Sequence, residues 1–278
     1  MATTATARAR SSQRHSAQRQ AVASVERAIR SAVRPPRSRY LHEFAEAFRS
    51  YQSQLTDADV LARACAADIL LIGDYHSLPS CQKFAASILR QLATQDRRSN
   101  VLGLEAAYSA SQPALDEWFR GGIDDNELPQ RLNFARDWGY DWEPYRNLFK
   151  VVRQGCEAVW GLDSEPRYDL RRVRGRDRYI AVKIQEMRRL HPEPRLVVFI
   201  GESHLAPQHL PRLLREALPG EEMLTVLQNV DALYWQLSEG STPHPAPVSV
   251  AEDVVCVFNS APLEKYESYQ RYLERWSG

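Results

Sequence analysis

The stretch that decides the fold is ILLIGDYHSLPSCQKFAASIL, residues 69–89, together with its echo LVVFIGESHLAPQHLPRLLREAL, residues 196–218. Each stretch begins with a continuous apolar run, continues as Gly-[Asp/Glu]-x-His, passes through a proline-containing loop and ends in an amphipathic helical pattern. An apolar run with little polar alternation is typical of a strand buried on both faces, as in a parallel sheet covered by helices. The pair therefore predicts two strand–loop–helix units of a parallel α/β fold.

Similar apolar runs recur outward from this pair, with helical patterns between them. The alternation predicts an α/β body whose central sheet is mainly parallel and flanked by helices. Residues 40–66 indicate one or two helices before the first strand, the proline-rich stretch 240–248 indicates a loop, and residues 40–278 are expected to form a single domain. The predicted strands are 69–72, 101–104, 158–162, 196–200, 224–227 and 254–258, and the predicted helices are 80–94, 112–120, 145–153, 177–190, 208–218 and 263–276.

Residues that can do chemistry follow the predicted strands directly. Ligands of an open parallel sheet bind beyond the carboxyl ends of its strands, so His76 and His204 are expected to lie over one edge of the sheet. Imidazole and carboxylate groups together suit a first-row divalent cation, and they equally suit acid–base catalysis near neutral pH. A nearby arginine can hold an anionic group or a developing oxyanion. The other charged residues expected at this edge are Asp74, Glu202, Glu105, Asp163, Arg167 and Arg176.

Aromatic residues are concentrated in the segment 138–145. The segment is either part of the core or a lid, or it is a wall over the crevice that stacks on a flat ligand such as a porphyrin. Tyr75 and Tyr108 lie near predicted strand ends, where a tyrosine or a histidine can serve as an axial haem ligand. We therefore take Tyr75, Tyr108 and Trp142 as candidate cofactor-binding residues.

Several motifs of large enzyme classes are absent from the sequence. There is no G-x-x-x-x-G-K-[ST], G-x-G-x-x-G, H-E-x-x-H or G-x-S-x-G, which disfavours phosphate-loop and dinucleotide enzymes, zincins and standard serine hydrolases. The four cysteines are widely spaced, which excludes a C-x-x-C zinc or redox motif and favours reduced thiols.

The formal net charge of +1 averages two unlike parts of the chain. Residues 1–39 hold nine arginines and one acid, so they carry +8 and the rest of the chain carries −7. This tail has no aromatic residue and is expected to be disordered. The alternatives are a basic arm against an anionic surface and an organellar transit peptide. The mildly acidic body disfavours nucleic acid as a partner.

The sequence contains no run of eighteen or more apolar residues, so no membrane span is expected. Neither a secretory signal nor a lipid-accepting cysteine is seen near the N-terminus, which favours a cytoplasmic location.

These motifs, in this order, resemble the ChaN-like proteins of the haem-binding-uptake/Tiki superfamily, which also contains TraB-type proteins, Tiki metalloproteases and erythromycin esterases. IGDYHSLPSCQ resembles the family's opening G-[ED]-x-H motif, which a glutamine follows, and FIGESHL resembles its closing G-x-x-H-L motif. LGLEAAYSASQPALDEW is similar to the second motif, and WGYDWEPYRNLFKVVRQG to the W…Y segment. RDRYIAVKI resembles the R-D-x-x-M-A helix, with Ile180 in place of Met. The resemblance covers roughly residues 66–220.

The resemblance implies a crevice formed by the two G-x-x-H loops, with His76, Glu105, Arg176 and His204 as the site residues. It also implies two competing functions. ChaN-like lipoproteins bind haem, whereas Tiki-type and esterase-type relatives hydrolyse amide or ester bonds, in the Tiki case with a divalent metal that His76, Glu105 and His204 would hold. We therefore expect a domain that binds haem, iron or a divalent metal as its small-molecule ligand. The alternatives are a hydrolase and a regulatory protein that works through its basic tail, and a homodimer is kept open.

Overall fold

The computed structural model describes Ser24 and residues 38–95, 97–164, 173–237 and 245–275. The basic tail, apart from Ser24, Ser38 and Arg39, lies outside these residues, as does Arg167. No helix in the described segments is long and apolar enough to cross a membrane. The boundary between a tail and a single domain at residue 40 stays a prediction.

One eight-stranded sheet runs through the described part of the chain, in the spatial order β1-β7-β8-β6-β2-β5-β3-β4. Neighbouring strands from β8 to β4 are parallel, whereas β7 pairs with β8 and with β1 in antiparallel fashion. The expected α/β class with a mainly parallel central sheet is thereby confirmed. The strands are β1 (Ser53–Gln54), β2 (Ile69–Asp74), β3 (Asn100–Tyr108), β4 (Ala158–Asp163), β5 (Arg195–Gly201), β6 (Met223–Gln228), β7 (Val248–Ala251) and β8 (Val254–Val257).

Helices cover both faces of this sheet, which explains the apolar runs in the sequence. Leu70 and Ile72 of β2 pack into the core on one face, and Ile69 and Leu71 pack into the core on the other. All four side chains are fully buried, and burial of such a side chain stabilises the fold by about 1.5–3 kcal/mol. The helices are α1 (Arg39–Ala47), α2 (Asp57–Ala66), α3 (Pro79–Gln95), α4 (Gln112–Phe119), α5 (Leu128–Arg131), α6 (Phe134–Asp137), α7 (Trp142–Gly155), α8 (Val173–Leu190), α9 (Leu210–Ala217), α10 (Asp231–Leu237) and α11 (Pro262–Arg275).

Two strands at one edge of the sheet depart from the sequence-based expectation. β7 begins at Val248, the last residue of the stretch expected to be a loop, and β1 lies within residues 40–66, where one or two helices were expected. β1 is two residues long, and β7 reads Val-Ser-Val-Ala. Such short strands near a sheet edge lack the continuous apolar run that burial on both faces imposes on the central strands.

The register of the central strands brings their carboxyl ends to the same level. Asp74, the last residue of β2, is paired with Gly201, the last residue of β5. β3 lies on the other side of β5, and β4 lies beyond β3. The chain segments that follow these four strands therefore meet at one edge of the sheet.

Candidate active site

His76 is held at this edge by the carboxylate that ends β2. Its Nδ1 lies 2.9 Å from Asp74 Oδ2. The same carboxylate accepts hydrogen bonds from the Tyr145 hydroxyl at 2.6 Å and from Gln82 Nε2 at 2.6 Å. Burial opposes a charge on the imidazole, but the Asp74 carboxylate outweighs it and raises the pKa of His76. Because Nδ1 is occupied, Nε2 is the nitrogen that His76 presents to the space above the sheet.

His204 has the same arrangement on the neighbouring loop. Its Nδ1 lies 2.5 Å from Asp177 Oδ1, and the Tyr40 hydroxyl donates to this carboxylate at 2.9 Å. Burial opposes the charged ring, yet the nearby carboxylates, Glu105 and Asp177, raise the pKa of His204 to about 9. At neutral pH the His204 ring is therefore an imidazolium whose Nε2 carries a proton.

Glu105 lies between the two imidazoles. His76 Nε2 is 3.9 Å from Glu105 Oε2, and His204 Nε2 is 3.4 Å from Glu105 Oε1. Oε2 also accepts the Gly201 N–H at 2.6 Å, and Oε1 accepts from Arg176. Burial would raise the pKa of this carboxyl, but His204, His76 and Arg176 hold it well below its usual range. Glu105 is thus a permanent anion.

Arg176 ties Glu105 to the end of β4. Its Nε and Nη2 atoms donate to Asp163 at 3.0 and 2.8 Å, and Nη2 also contacts Glu105. Burial would lower the pKa of this guanidinium, but the two carboxylates raise it. Arg176 therefore stays charged and fixes both acids at the sheet edge.

Gly201 is required by the close packing of this network. A Cβ atom at this position would lie 3.1 Å from Glu105 Oε2 and 3.1 Å from His76 Nε2 and Cε1. These distances are shorter than ordinary van der Waals contacts, so a larger residue would displace the histidine or the glutamate.

The two imidazoles open into a cleft of about 740 Å³, which Glu105, Arg176 and Gly201 also line. Aromatic rings form one wall: the His76 ring is 4.4 Å from the ring of Trp138 and 5.2 Å from that of Tyr140, between centroids. The side chain of His76 is 22% exposed, whereas that of His204 is 4% exposed. His76 is therefore the more accessible of the two histidines.

The three candidate cofactor-binding residues lie in different places. Tyr108 lines the cleft. The ring of Tyr75 lies 4.6 Å below Lys265 Nζ. Trp142 packs against Phe134 and Phe149 in the core. Of the aromatic segment, Trp138 and Tyr140 are the rings that face the cleft.

The structure brings together the four charged residues that the resemblance singled out, namely His76, Glu105, Arg176 and His204. Glu202, expected beside them, instead pairs with Lys265 Nζ at 3.3 Å. Tyr40 and Asp177 belong to the network but were not among the expected site residues. Asp177 could have been predicted as a site residue, because it directly follows Arg176 in the sequence. Tyr40 could not have been predicted in this way, because it is 164 residues from His204 in sequence.

A divalent cation does not fit the donor set as it is folded. Both oxygens of Glu105 already accept hydrogen bonds, and the guanidinium of Arg176 would stand beside the cation. Within the described segments, no group of three or more His, Cys, Asp or Glu side chains is arranged to hold a metal ion. The residues predicted as metal ligands thus form a network of paired charges.

A family model described as haem-binding uptake, Tiki superfamily, ChaN matches residues 60–175. The match covers 116 of the 278 residues and shows that this segment is similar to the ChaN family. A search of curated proteins finds no match. The matched segment supplies Asp74, His76, Glu105 and Asp163, whereas Arg176 and the Asp177–His204 pair lie beyond it.

Solved structures share the fold at low sequence identity. The type III effector HopBA1 is 12% identical with a TM-score of 0.52, over 82% of this chain and 97% of the effector. ChaN of Campylobacter jejuni, described with cofacial haem binding, is 16% identical with a TM-score of 0.49, over 65% of this chain and 88% of that one. RRSP, a MARTX toxin effector domain from Vibrio vulnificus CMCP6, is 22% identical with a TM-score of 0.38, over 60% of this chain and 39% of that one. The likeness to HopBA1 concerns the fold alone.

Proposed function

We propose that this protein hydrolyses ester or amide bonds of small molecules, with His76 and His204 as an acid–base pair. The observation that carries the proposal is the convergence of two Asp–His pairs on one buried glutamate in an open cleft. An imidazole whose Nδ1 is held by a carboxylate presents a defined Nε2 for proton transfer. Two such groups allow one proton to be taken and another to be given within a single turnover.

His76 is the residue proposed to act as the base. In its neutral form Nε2 accepts a proton from a water molecule in the cleft, and the water oxygen attacks the substrate carbonyl carbon. His204, with its pKa of about 9, holds a proton at neutral pH and gives it to the leaving oxygen or nitrogen as the bond to the carbonyl carbon breaks. The Asp74 carboxylate stabilises the imidazolium that forms on His76.

Glu105 and Arg176 set the electrostatics of this step. Glu105 is too acidic to take a proton at neutral pH, so it holds the two rings in place and stabilises their charged forms. Arg176 lines the cleft and places a fixed positive charge near the oxygen that becomes negative as water adds. The aromatic wall of Trp138 and Tyr140 suits a flat or apolar acyl or leaving group.

A screen of chromogenic esters and anilides with purified full-length protein tests the proposal. Hydrolysis that falls at least about a hundredfold in both His76→Asn and His204→Gln supports it, since one positioned acid or base contributes about 10²–10⁴-fold. His191→Asn is the matched control, because His191 contacts Trp160 beside the start of β5, away from the cleft. Turnover that survives in either site variant would contradict the acid–base pair, and a chelator added to the wild type is expected to change nothing.

Haem binding is a second candidate, which the description of the ChaN family favours. His76 fits an axial ligand, because Asp74 holds its Nδ1 and leaves Nε2 facing the cleft, the usual arrangement of a metal-bound histidine. Tyr108 and the aromatic wall would flank the macrocycle, and the iron would bring redox chemistry or be carried as cargo.

Titration with haemin separates the two candidates. A Soret band that shifts on binding and is lost in His76→Ala would support haem as the ligand. A spectrum identical in the wild type and in His76→Ala would exclude haem as a ligand held by His76.

A further inference from the structure

A second cavity lies behind the aromatic wall of the cleft. Its volume is about 250 Å³, and His76, Tyr140 and Tyr272 line both this cavity and the cleft. The rings of Tyr140 and Tyr272 stack at 4.4 Å between centroids with 16° between their planes. The two tyrosines thus form the partition between the two spaces, and His76 borders both.

One side of α11 lines the second cavity. Ser268, Arg271, Tyr272 and Arg275 belong to its lining, and their spacing of three and four residues places them on the same face of the helix. Two guanidinium groups therefore reach the space that the imidazole of His76 also borders. We call this space the arginine pocket.

The charges of the arginine pocket do not balance. Of the described residues that line it, Asp141 is the one carboxylate, and it pairs with Arg275. Arg271 forms no hydrogen bond or ion pair with any residue that the structure describes, although its own helix carries acidic residues. Among the described residues, the lining thus holds one arginine more than it holds acids.

We propose that the arginine pocket binds an anionic substituent of the substrate, a carboxylate or a phosphate, next to the bond that is cleaved. A guanidinium is planar and presents paired N–H donors that match the oxygens of these two groups. A pocket of about 250 Å³ holds one such group together with a few water molecules, at about 30 Å³ each. This inference rests on the proposed function, because the substituent is placed beside His76.

The inference predicts a selectivity among substrates. An ester with a carboxylate or phosphate a few bonds from its carbonyl would place the anion on Arg271 and Arg275 while the carbonyl faces His76. A neutral ester of the same size would lack this contact. A comparison of carboxylated with phosphorylated esters shows which of the two anionic groups the pocket prefers.

The test compares matched neutral, carboxylated and phosphorylated aryl esters in the wild type and in Arg271→Gln/Arg275→Gln. We expect the ratio of kcat/KM for anionic over neutral esters to fall about tenfold in the double variant, which corresponds to about 1.4 kcal/mol. Arg212→Gln is the control, since Arg212 is an exposed arginine of α9 that pairs with Glu216. An unchanged ratio in the double variant would overturn the inference while leaving hydrolysis in place.

A binding experiment does not depend on turnover. Titration of the wild type with inorganic phosphate is expected to move the imidazole NMR signals of His76, and the double variant should lose this response. Phosphate binding that persists in the double variant would also overturn the inference. If no ester is hydrolysed but the response to phosphate depends on the two arginines, the proposed function fails and the anion pocket stands.

Discussion

Replacement of Asp177 by Asn tests the electrostatics of the site at its most buried histidine. The carboxylate of Asp177 accepts from His204 Nδ1 and from the Tyr40 hydroxyl. Asn has nearly the same shape but no charge, so the change removes one of the two anions that keep His204 protonated. Glu105 remains as the other anion, and Arg176 still contacts Glu105.

The size of the effect follows from the pKa of His204. A rise from the ordinary 6.5 to about 9 corresponds to about 3 kcal/mol in favour of the charged ring. Loss of Asp177 is expected to lower this pKa by at least about one unit, because burial of the ring then has fewer charges to oppose it. At pH 8 the protonated fraction of His204 would then fall from about 90% to about 50% or less.

NMR titration of the imidazole signals measures this pKa directly. In Asp177→Asn we also expect the neutral ring to carry its proton on Nε2, since the Asn amide can donate to Nδ1. Asp57→Asn, at the exposed N-terminus of α2, is the matched control and should leave the titration of His204 unchanged. A pKa of His204 that stays near 9 in Asp177→Asn would refute the reasoning.

The same change affects stability with a defined sign. Because the folded pKa of His204 is above the unfolded value, its contribution is fully present below pH 6.5 and is lost as the pH rises through about 9. The wild type should therefore lose about 3 kcal/mol of unfolding free energy from this group between these limits. Urea denaturation at pH 6 and pH 9.5 should show a smaller difference for Asp177→Asn, and an equal difference would argue that Asp177 does not hold the proton.

Three further changes test other parts of the network. Gly201→Ala places a Cβ atom 3.1 Å from the His76 ring. We expect kcat/KM to fall at least about tenfold, with little change in the melting temperature. Unaltered kinetics would contradict the close packing. Lys265→Met breaks a buried ion pair and should lower the unfolding free energy, measured by urea denaturation, by about 3–5 kcal/mol. The control Lys83→Met, at an exposed position, should lower it by less than about 0.5 kcal/mol. Equal losses in the two variants would be evidence against the buried pair. Arg176→Met leaves two buried carboxylates without their cation and should also cost about 3–5 kcal/mol at pH 7, so a variant as stable as the wild type would show that these acids are not charged.

The central strands could be predicted because burial on both faces leaves a direct mark on composition. β2 and β5 are apolar along almost their whole length, and every residue in them is buried. The convergence of His76 and His204 followed from the same information, since parallel strands end at a common edge. Here the local sequence and the tertiary structure impose the same requirement.

The directions of individual side chains at that edge could not be predicted. Glu202 and His204 lie in one 3-10 turn, Glu202–Leu205, whose three residues per turn send neighbouring side chains to different sides. Trp138 faces the cleft but Trp142 faces the core, because the chain turns at Gly139, which has a positive φ of 79°, before α7 begins. These choices depend on loop geometry that composition and spacing do not encode.

The segment that matches the ChaN family model cannot form the described site by itself. Within the sheet, β5 lies between β2 and β3, and β5 comes after residue 175. A fragment of residues 60–175 would therefore lack the strand that joins its own halves, as well as the Asp177–His204 pair that completes the site. Tyr40 from α1 hydrogen-bonds Asp177, and Lys265 from α11 pairs with Glu202 in the turn that also carries His204. Because the proposed acid–base pair is assembled from parts inside and outside the matched segment, similarity to the family accounts for the Asp74–His76 half of the site, and the rest of the chain supplies the other half.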